Sequence, residues 1–425
     1  MNLRKVLMMM VTLLLTGAVF AGMVSALESD QPATVATLQN VRDFAPAHEI
    51  DGVNYAVDGG ELFAGEPGAW RSVATPEGVI VNAVAMDGQN GTLYIGAANE
   101  LALYRSADNG ESWMRIPLDT DAIGSITDVA VDPVNHLVFV GTDTDGLHRL
   151  RDVGASMIEG GQLLLDEPVL EVVAASDGSN MVFARTEWHL YRAENFGLSW
   201  VEVENLSSPA TALAIADTKP ATVYVGTASN GVRMSQDGVN WQAVNNGLNY
   251  APGSQLYIND LAVDAAQPQV VYVSSSLSVG GVSLHTTPLG VSMSTDAGQA
   301  WQPLESVENV AVTDLMPLSG RTGAVYALTE NSRTPLALGA AVAIELASAN
   351  PQPADAAIVA TPAPATPVTT PETGIDFLAI VAWVLAGLAA VGLAAILWLD
   401  LARRRSTQPE AGVLAAQPVH NGKES

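Results

Sequence analysis

The chain contains no cysteine in its 425 residues. That absence excludes disulfides and thiolate metal sites, and with them the disulfide-stapled type of secreted domain. Stability must come from packing. Basic residues are scarce as well: between Leu27 and Gly374 there are 12 Lys and Arg against 41 Asp and Glu, a balance of −29, more negative than the −27 of the whole chain. Nucleic-acid affinity rests on basic side chains that release counterions, so no nucleic-acid partner is expected. The same field favours solubility and attracts cations. The six histidines, at 48, 136, 148, 189, 285 and 420, show no metal-ligand spacing, and neither a Ser/His/Asp order nor a Gly-rich phosphate loop emerges. What is present is apolar: 48% hydrophobic residues, enough to build a large core.

Both ends carry targeting signals. Arg4 and Lys5 precede an apolar run from Val6 to about Phe20 and the small residues Val24-Ser25-Ala26, the pattern of a bacterial-type signal peptide over 1–26; an uncleaved N-terminal anchor is the alternative. Phe377 to Leu399 is 23 residues without a charge, bounded by Asp376 and Asp400 and followed by Arg403-Arg404-Arg405. About 20 apolar residues cross a bilayer, so 375–401 is expected to be a transmembrane helix. The arginines belong on the cytoplasmic side, which places the domain outside and the tail, 402–425, inside. Ala382, Ala386, Ala390 and Ala394 form a small-residue stripe that would let two such helices pack, and the oligomeric state is left open. Residues 347–374 are rich in Pro, Ala and Thr and read as a solvated stalk. Thr370-Pro371-Glu372-Thr373-Gly374 resembles a sortase sorting signal, but its leading Leu is replaced by Thr370 and a long tail follows the arginines, which favours a retained single-pass anchor over wall attachment.

The middle of the chain repeats itself. The pattern Ser-x-Asp-x-Gly-x-x-Trp occurs in full at Ser106, Asp108, Gly110, Trp113 and at Ser294, Asp296, Gly298, Trp301. A shortened copy is Ser235, Asp237, Gly238, Trp241, and degenerate copies end at Trp70, Met157 and Trp200. The closing positions are 43, 44, 43, 41 and 60 residues apart, the size of a propeller blade. These residues resemble the Asp-box, or BNR, repeat of sialidase-like propellers, sortilin-type receptors, certain glycoside hydrolases and photosystem II assembly factors. The resemblance covers about 300 residues. It implies that each box is a turn between the third and fourth strands of a blade, with Asp108 capping backbone N–H groups, Gly110 permitting the geometry and Trp113 packing between blades. On that basis the box aspartates are structural and not catalytic.

A second marker counts the blades. Short alternating strands carry one aromatic each, at Tyr55, Tyr94, Phe139, Phe183, Tyr224, Tyr272 and Tyr326, with inner strands upstream such as Val41-Arg42-Asp43-Phe44, Ile126 to Val131, Asn259 to Val263 and Val312 to Leu315. The fold class is therefore all-β, one seven-bladed β-propeller over 41–346 after a lead-in at 27–40, with six blades closed by strand exchange as the alternative. Circular closure protects edges that an open array would expose. The last blade lacks a box, and Pro32 to Gln39 is expected to supply its outer strand.

Function is sought on the face opposite the boxes, where insertions concentrate. Asn245 to Tyr257 and Ser276 to Pro288 are two such insertions in the sixth blade. They carry Tyr250, Tyr257 and His285, a set suited to a sugar or a peptide side chain. Asp119, Asp121, Asp143 and Asp145 lie in adjacent loops of the third blade and are a candidate site for Ca²⁺, which takes several oxygen ligands; solvated loop aspartates are the plainer alternative. No other cofactor is indicated. A sialidase would need three central arginines, and most arginines fall on outer or third strands, leaving Arg42 and Arg185. The triplet Arg115-Ile116-Pro117, although similar to a sialidase motif, follows Trp113 and belongs on an outer strand. The expected role is thus a non-catalytic, membrane-anchored surface protein that binds an extracellular glycan, peptide or protein. The alternatives are a glycoside hydrolase and an assembly factor for a membrane complex.

Overall fold

Segments such as Leu93-Tyr94-Ile95 and Val223-Tyr224-Val225 lack polar residues on either side of the pleat, and a strand of that kind is stable only when both faces of its sheet are covered. The computed structural model describes residues 35–342, except 50–51, 67, 164, 249, 251–252, 280–284, 305–309 and the side chains of Val279 and His285. The signal peptide, stalk, membrane segment and tail expected from the sequence lie outside the described residues. Among the described residues no helix is long and apolar enough to cross a membrane.

Seven antiparallel sheets follow one another along the chain, six of four strands and one of three. Their inner strands are Val41–Ala45, Val81–Met86, Ile126–Asp132, Glu171–Ala174, Ala210–Ala216, Gln255–Asp264 and Val312–Pro317. The second strands sit in the middle of each blade and are buried along their length, as at Leu137–Thr142, Thr222–Thr227 and Ala324–Thr329. Seven sheets settle the blade number against the six-bladed alternative. In this up-and-down order the first-to-second turns and third-to-fourth hairpins share one face. The second-to-third hairpins and the loops between blades share the other.

The two sequence markers turn out to be halves of one contact. In six blades the second-strand aromatic reaches the third-to-fourth segment of the next, and in blade six Tyr272 reaches the first-to-second turn of blade seven. Phe139 meets Trp200 edge to face at 6.2 Å, and Phe183 meets Trp241 at 5.9 Å. Tyr94 Oη donates to Asp152 Oδ2 at 2.6 Å, Tyr224 Oη donates to Ala297 O at 3.1 Å, and Gly323 N donates to Tyr272 Oη at 2.8 Å. Tyr55 packs in the cluster that takes in Trp113, and Tyr326 in the cluster that takes in Trp70. The last of these contacts closes the ring.

Two residues beyond the aromatic, blades two, three and five place a glycine where the next inner strand crosses. A Cβ at Gly96 would lie 2.3 Å from Ile126 Cγ2, at Gly226 2.5 Å from Ile258 Cγ2, and at Gly141 2.8 Å from Val169 Cγ1. Gly96→Val is expected to destabilise the domain by about 1–3 kcal/mol in urea unfolding, because the blades cannot separate without losing their packing. Gly160→Ala, where the nearest atom is 3.9 Å away, is expected to be nearly silent.

Closure differs from the expectation in one respect. Residues 35–39 do not join the sheet of blade seven, which has three strands among the described residues. Instead Ala36 N donates to Trp70 O at 2.8 Å in blade one, while Gln39 O accepts from Thr334 Oγ1 at 3.2 Å in blade seven. The reason is apolar: Leu38, 5% exposed, is buried with Trp70, Phe63, Leu318 and Tyr326 in the seam between those blades. Arg333 Nε donates to Val41 O at 2.7 Å and Ser319 Oγ to Ala47 O, so the ring is sealed by side chains and not by an exchanged strand.

Candidate functional site

The boxes are turns held by their own side chains. In the second blade Ser106 Oγ donates to Asp108 Oδ1 at 2.7 Å and accepts from Gly110 N at 2.8 Å, while Ser112 N donates to Asp108 Oδ1 at 2.9 Å. In the sixth, Ser294 and Asp296 repeat this, with Ala300 N on Asp296 Oδ1 at 2.9 Å. Gly110 and Gly298 have φ of 90° and 83°, the left-handed region that favours glycine. Asp237 caps Val239 N and Asn240 N at 2.9 and 2.7 Å. Hydrogen bonds from Ser112 and Ser106 hold the Asp108 carboxyl down at about 2, and those from Asn240 hold Asp237 low as well. Trp301 and Trp113 each donate an indole N–H to a carbonyl of the preceding blade, Val244 O at 2.7 Å and Ala74 O at 2.8 Å. The Ser hydroxyls and Asp carboxylates of these boxes are thus engaged in the turns themselves.

The centre of the ring is acidic. Six inner strands carry a β-bulge at their start, skipping Arg42, Asn82, Thr127, Thr211, Asn259 or Thr313, and the bulge turns the next side chain toward the axis. That position holds Asp43, Ala83, Asp128, Ala212, Asp260 and Asp314, with Glu171 in the same register of blade four. Each carboxylate is committed to a neighbour. Asp43, Asp128 and Asp260 accept the N–H of Val84, Val172 and Leu315 in the next blade, all at 2.6 Å. Glu171 accepts from Leu213 N at 3.2 Å and from Arg185 Nε at 2.7 Å, and Asp314 accepts from Arg333 Nη1 at 2.6 Å. Burial pushes Asp43 up to about 6 and Asp128 up to about 8, the second helped by the charges of Asp43 and Glu171. Burial raises Glu171, with Arg185 opposing, and raises Asp260 strongly. Beyond the carboxylates the inner strands enclose a channel of about 350 Å³ walled by Ala45, Ala85, Ala130, Ala214 and Ala262, which runs on to His48 and Asp217 in the first-to-second turns.

Arg333 joins Arg42 and Arg185 near the centre, a position not anticipated for it in the sequence. Two of the three are committed to carboxylates, Arg185 to Glu171 and Arg333 to Asp314, while Arg42 Nη1 donates to Asn82 Oδ1, so no set of three unpaired arginines is assembled. Arg115 lies on the outer strand Met114–Pro117 and pairs with Glu100.

The expected calcium quartet does not converge. Asp143 Oδ1 accepts from Ser125 N at 2.7 Å, Asp145 Oδ2 lies 3.1 Å from His148 Nε2, and Asp119 engages Glu159 through its backbone N–H at 2.8 Å. No contact of Asp121 joins them, and among the described residues no three His, Asp or Glu side chains come together to hold a metal. The carboxylates of Asp143 and Asp145 turn to donors of their own blade.

The insertions of blade six are less loop-like than the sequence suggests. Gln255–Asp264, Gln267–Val279 and His285–Ser294 are strands of 10, 13 and 10 residues. They extend the ladder past the other blades on the face away from the boxes, pairing Tyr257 with Ser276 and Val279 with His285. Leu256 and Ile258 are buried in the seam with blade five, so Tyr257 faces the other side of the sheet, partly exposed. A parallel bridge from Asn230 to Leu256 ties the extension to blade five. Tyr250 is 45% exposed in the loop before it. No contact joins the three predicted residues, and the His285 side chain lies outside the described residues. The sequence reading missed a different set of exposed side chains on this face, Ile123, Leu170 and Trp188, because exposure has no local signature.

No known protein-family profile matches the chain, and no curated protein does. Among solved structures it is similar to a GH74 xyloglucanase from Xanthomonas campestris, with a TM-score of 0.50 and 17% identity over 70% of this chain and 52% of that one. It is similar to YCF48 bound to D1 peptide, TM-score 0.50, 16% identity, over 73% of this chain and 97% of that one. YCF48 from Cyanidioschyzon merolae gives 0.50 and 14%, over 73% and 98%. What they share is the fold. The chain spans about half the length of the xyloglucanase and nearly all of YCF48.

Proposed function

We propose that this propeller is a non-catalytic binding domain, held outside the cell by the apolar segment 375–401, and that it docks a polypeptide or glycan on the face away from the boxes. The observation that carries this reading is the extension of blade six. Strands of 10 to 13 residues rise on one face of a ring whose other blades make do with shorter ones, and extra ordered structure costs conformational entropy that the fold does not require. The likeness to YCF48, a protein described bound to D1 peptide, supports a polypeptide over a glycan. Against hydrolysis at the centre of the ring stands the commitment of Asp43, Asp128, Glu171, Asp260 and Asp314 to backbone N–H groups or arginines. A role as assembly factor for a membrane complex is a special case of the same reading.

Peptide and glycan arrays probed with the full chain in mild detergent test it. Tyr250→Ala with Tyr257→Ala is expected to weaken capture on this face about tenfold if the aromatic pair anchors the ligand. Undiminished capture would remove blade six from the site. Release of a fluorophore from sialosides or β-glucosides would overturn the non-catalytic role.

A further inference from the structure

The same face carries a second feature, over blades three and four. Loops 119–125 and 165–170 lead into the inner strands of those blades, and loops 143–146 and 186–189 join their second and third strands. Together they hold seven Asp and Glu, among them Asp166, Glu167 and Glu187, and no Lys or Arg. Arg185, which ends the strand before loop 186–189, is already tied to Glu171. Amid these carboxylates stand three large apolar side chains: Ile123 is 90% exposed, Trp188 64% and Leu170 44%.

They belong to one connected surface. Thr144 Oγ1 donates to Ile123 O at 3.2 Å, Val169 N to Thr142 O at 3.0 Å, and Leu170 N to Arg185 O at 2.9 Å. The turn that offers Trp188 to solvent is braced: Thr186 Oγ1 accepts from Trp188 N at 3.3 Å and His189 N at 3.0 Å, and His189 Nδ1 lies 2.5 Å from Glu167 Oε1. An indole held in water on a hydrogen-bonded turn, in a set of linked loops that exposes two further apolar side chains, is the composition of a binding anchor, since tryptophan is prominent in interface energetics.

We propose that this surface docks a cationic polypeptide segment in which Lys or Arg side chains alternate with apolar ones. The apolar side chains cover Trp188, Leu170 and Ile123, and the cations lie against the indole face and the surrounding carboxylates. Charge complementarity selects this occupant. A second copy of this acidic chain would be repelled, and so would an anionic membrane surface. The inference rests on the binding role proposed above and names its partner.

The test uses the full chain in zwitterionic nanodiscs and two dye-labelled twelve-residue peptides, one alternating lysine with leucine and one alternating glutamate with leucine, read by fluorescence anisotropy against empty nanodiscs. The lysine peptide is expected to bind and the glutamate peptide not to. Trp188→Ala, at an exposed position that folding does not need, is expected to weaken binding about tenfold, and Asp166→Asn with Glu187→Gln to weaken it and reduce its salt dependence. Equal binding of both peptides, or none of the lysine peptide, overturns the proposal. Binding that survives Trp188→Ala but falls in Tyr250→Ala with Tyr257→Ala overturns this location while leaving the face assignment standing. Binding untouched by both sets of substitutions overturns both.

Discussion

Trp301→Ala is expected to lower the stability of the propeller by about 3–5 kcal/mol, the range for removing a buried aromatic. Trp301 is 3% exposed, packs in one cluster with Tyr224, Val244 and Leu248 of the preceding blade, and donates its indole N–H to Val244 O. Its loss opens a cavity in a seam between blades and leaves that carbonyl unpaired. Trp113→Ala removes the same contact at a half-buried site and is expected to cost less. Asp296→Ala removes only the cap of an exposed turn and is expected to cost about 1 kcal/mol. Urea unfolding of the full chain in detergent, followed by circular dichroism, ranks the three. Equal losses for Asp296→Ala and Trp301→Ala would mean that the turn, and not the seam, limits stability.

Stability is expected to peak near pH 4 and to fall toward pH 8. The central carboxylates have folded-state pKa values raised above their unfolded values, to about 6 for Asp43 and about 8 for Asp128. The folded state therefore holds protons that the unfolded state releases, and stability drops as pH rises from about 4 through about 8. Asp128 faces Asp43 and Glu171 around the axis, with Asp260 and Asp314 nearby and only Arg185 and Arg333 to offset them. Below pH 4 the sign reverses, because Asp108, Asp237 and Asp296 have depressed values and lose their capping bonds as they protonate. Asp128→Asn keeps an oxygen for Val172 N–H and removes the charge. It is expected to flatten the alkaline limb and to gain on the order of 2 kcal/mol at pH 8. An alkaline limb unchanged by Asp128→Asn would show that the ring is not its source.

Much of the fold was legible because its signals are local. Ser, Asp and Gly at fixed offsets make a turn wherever they occur, and seven aromatics in alternating strands count blades without reference to one another. Closure was misjudged for the opposite reason. Whether Leu38 feeds an outer strand or fills the seam beside Trp70 depends on a contact with Tyr326, nearly 300 residues away. The central acids were visible as letters in the inner strands at Asp43, Asp128, Asp260 and Asp314. Their role was not, because it comes from the bulge that turns them and from the N–H of the next blade. The four loop aspartates were likewise visible only as neighbours in sequence: that Asp143 accepts from Ser125 N and Asp145 lies against His148 is decided by the fold.

By itself the sequence determined the strand-rich blade repeat, the turn chemistry of the boxes and the acidity of the domain, all of which follow from residue types at short range, while the choice of seven blades over six was made by the sheets of the structure. Only the tertiary structure decided that box tryptophan and strand aromatic form one interblade contact, that the conspicuous carboxylates are bound to backbone, and that Trp188, Leu170 and Ile123 stand in water on one face. Burial and exposure are properties of the closed ring, and no local pattern of residues encodes them.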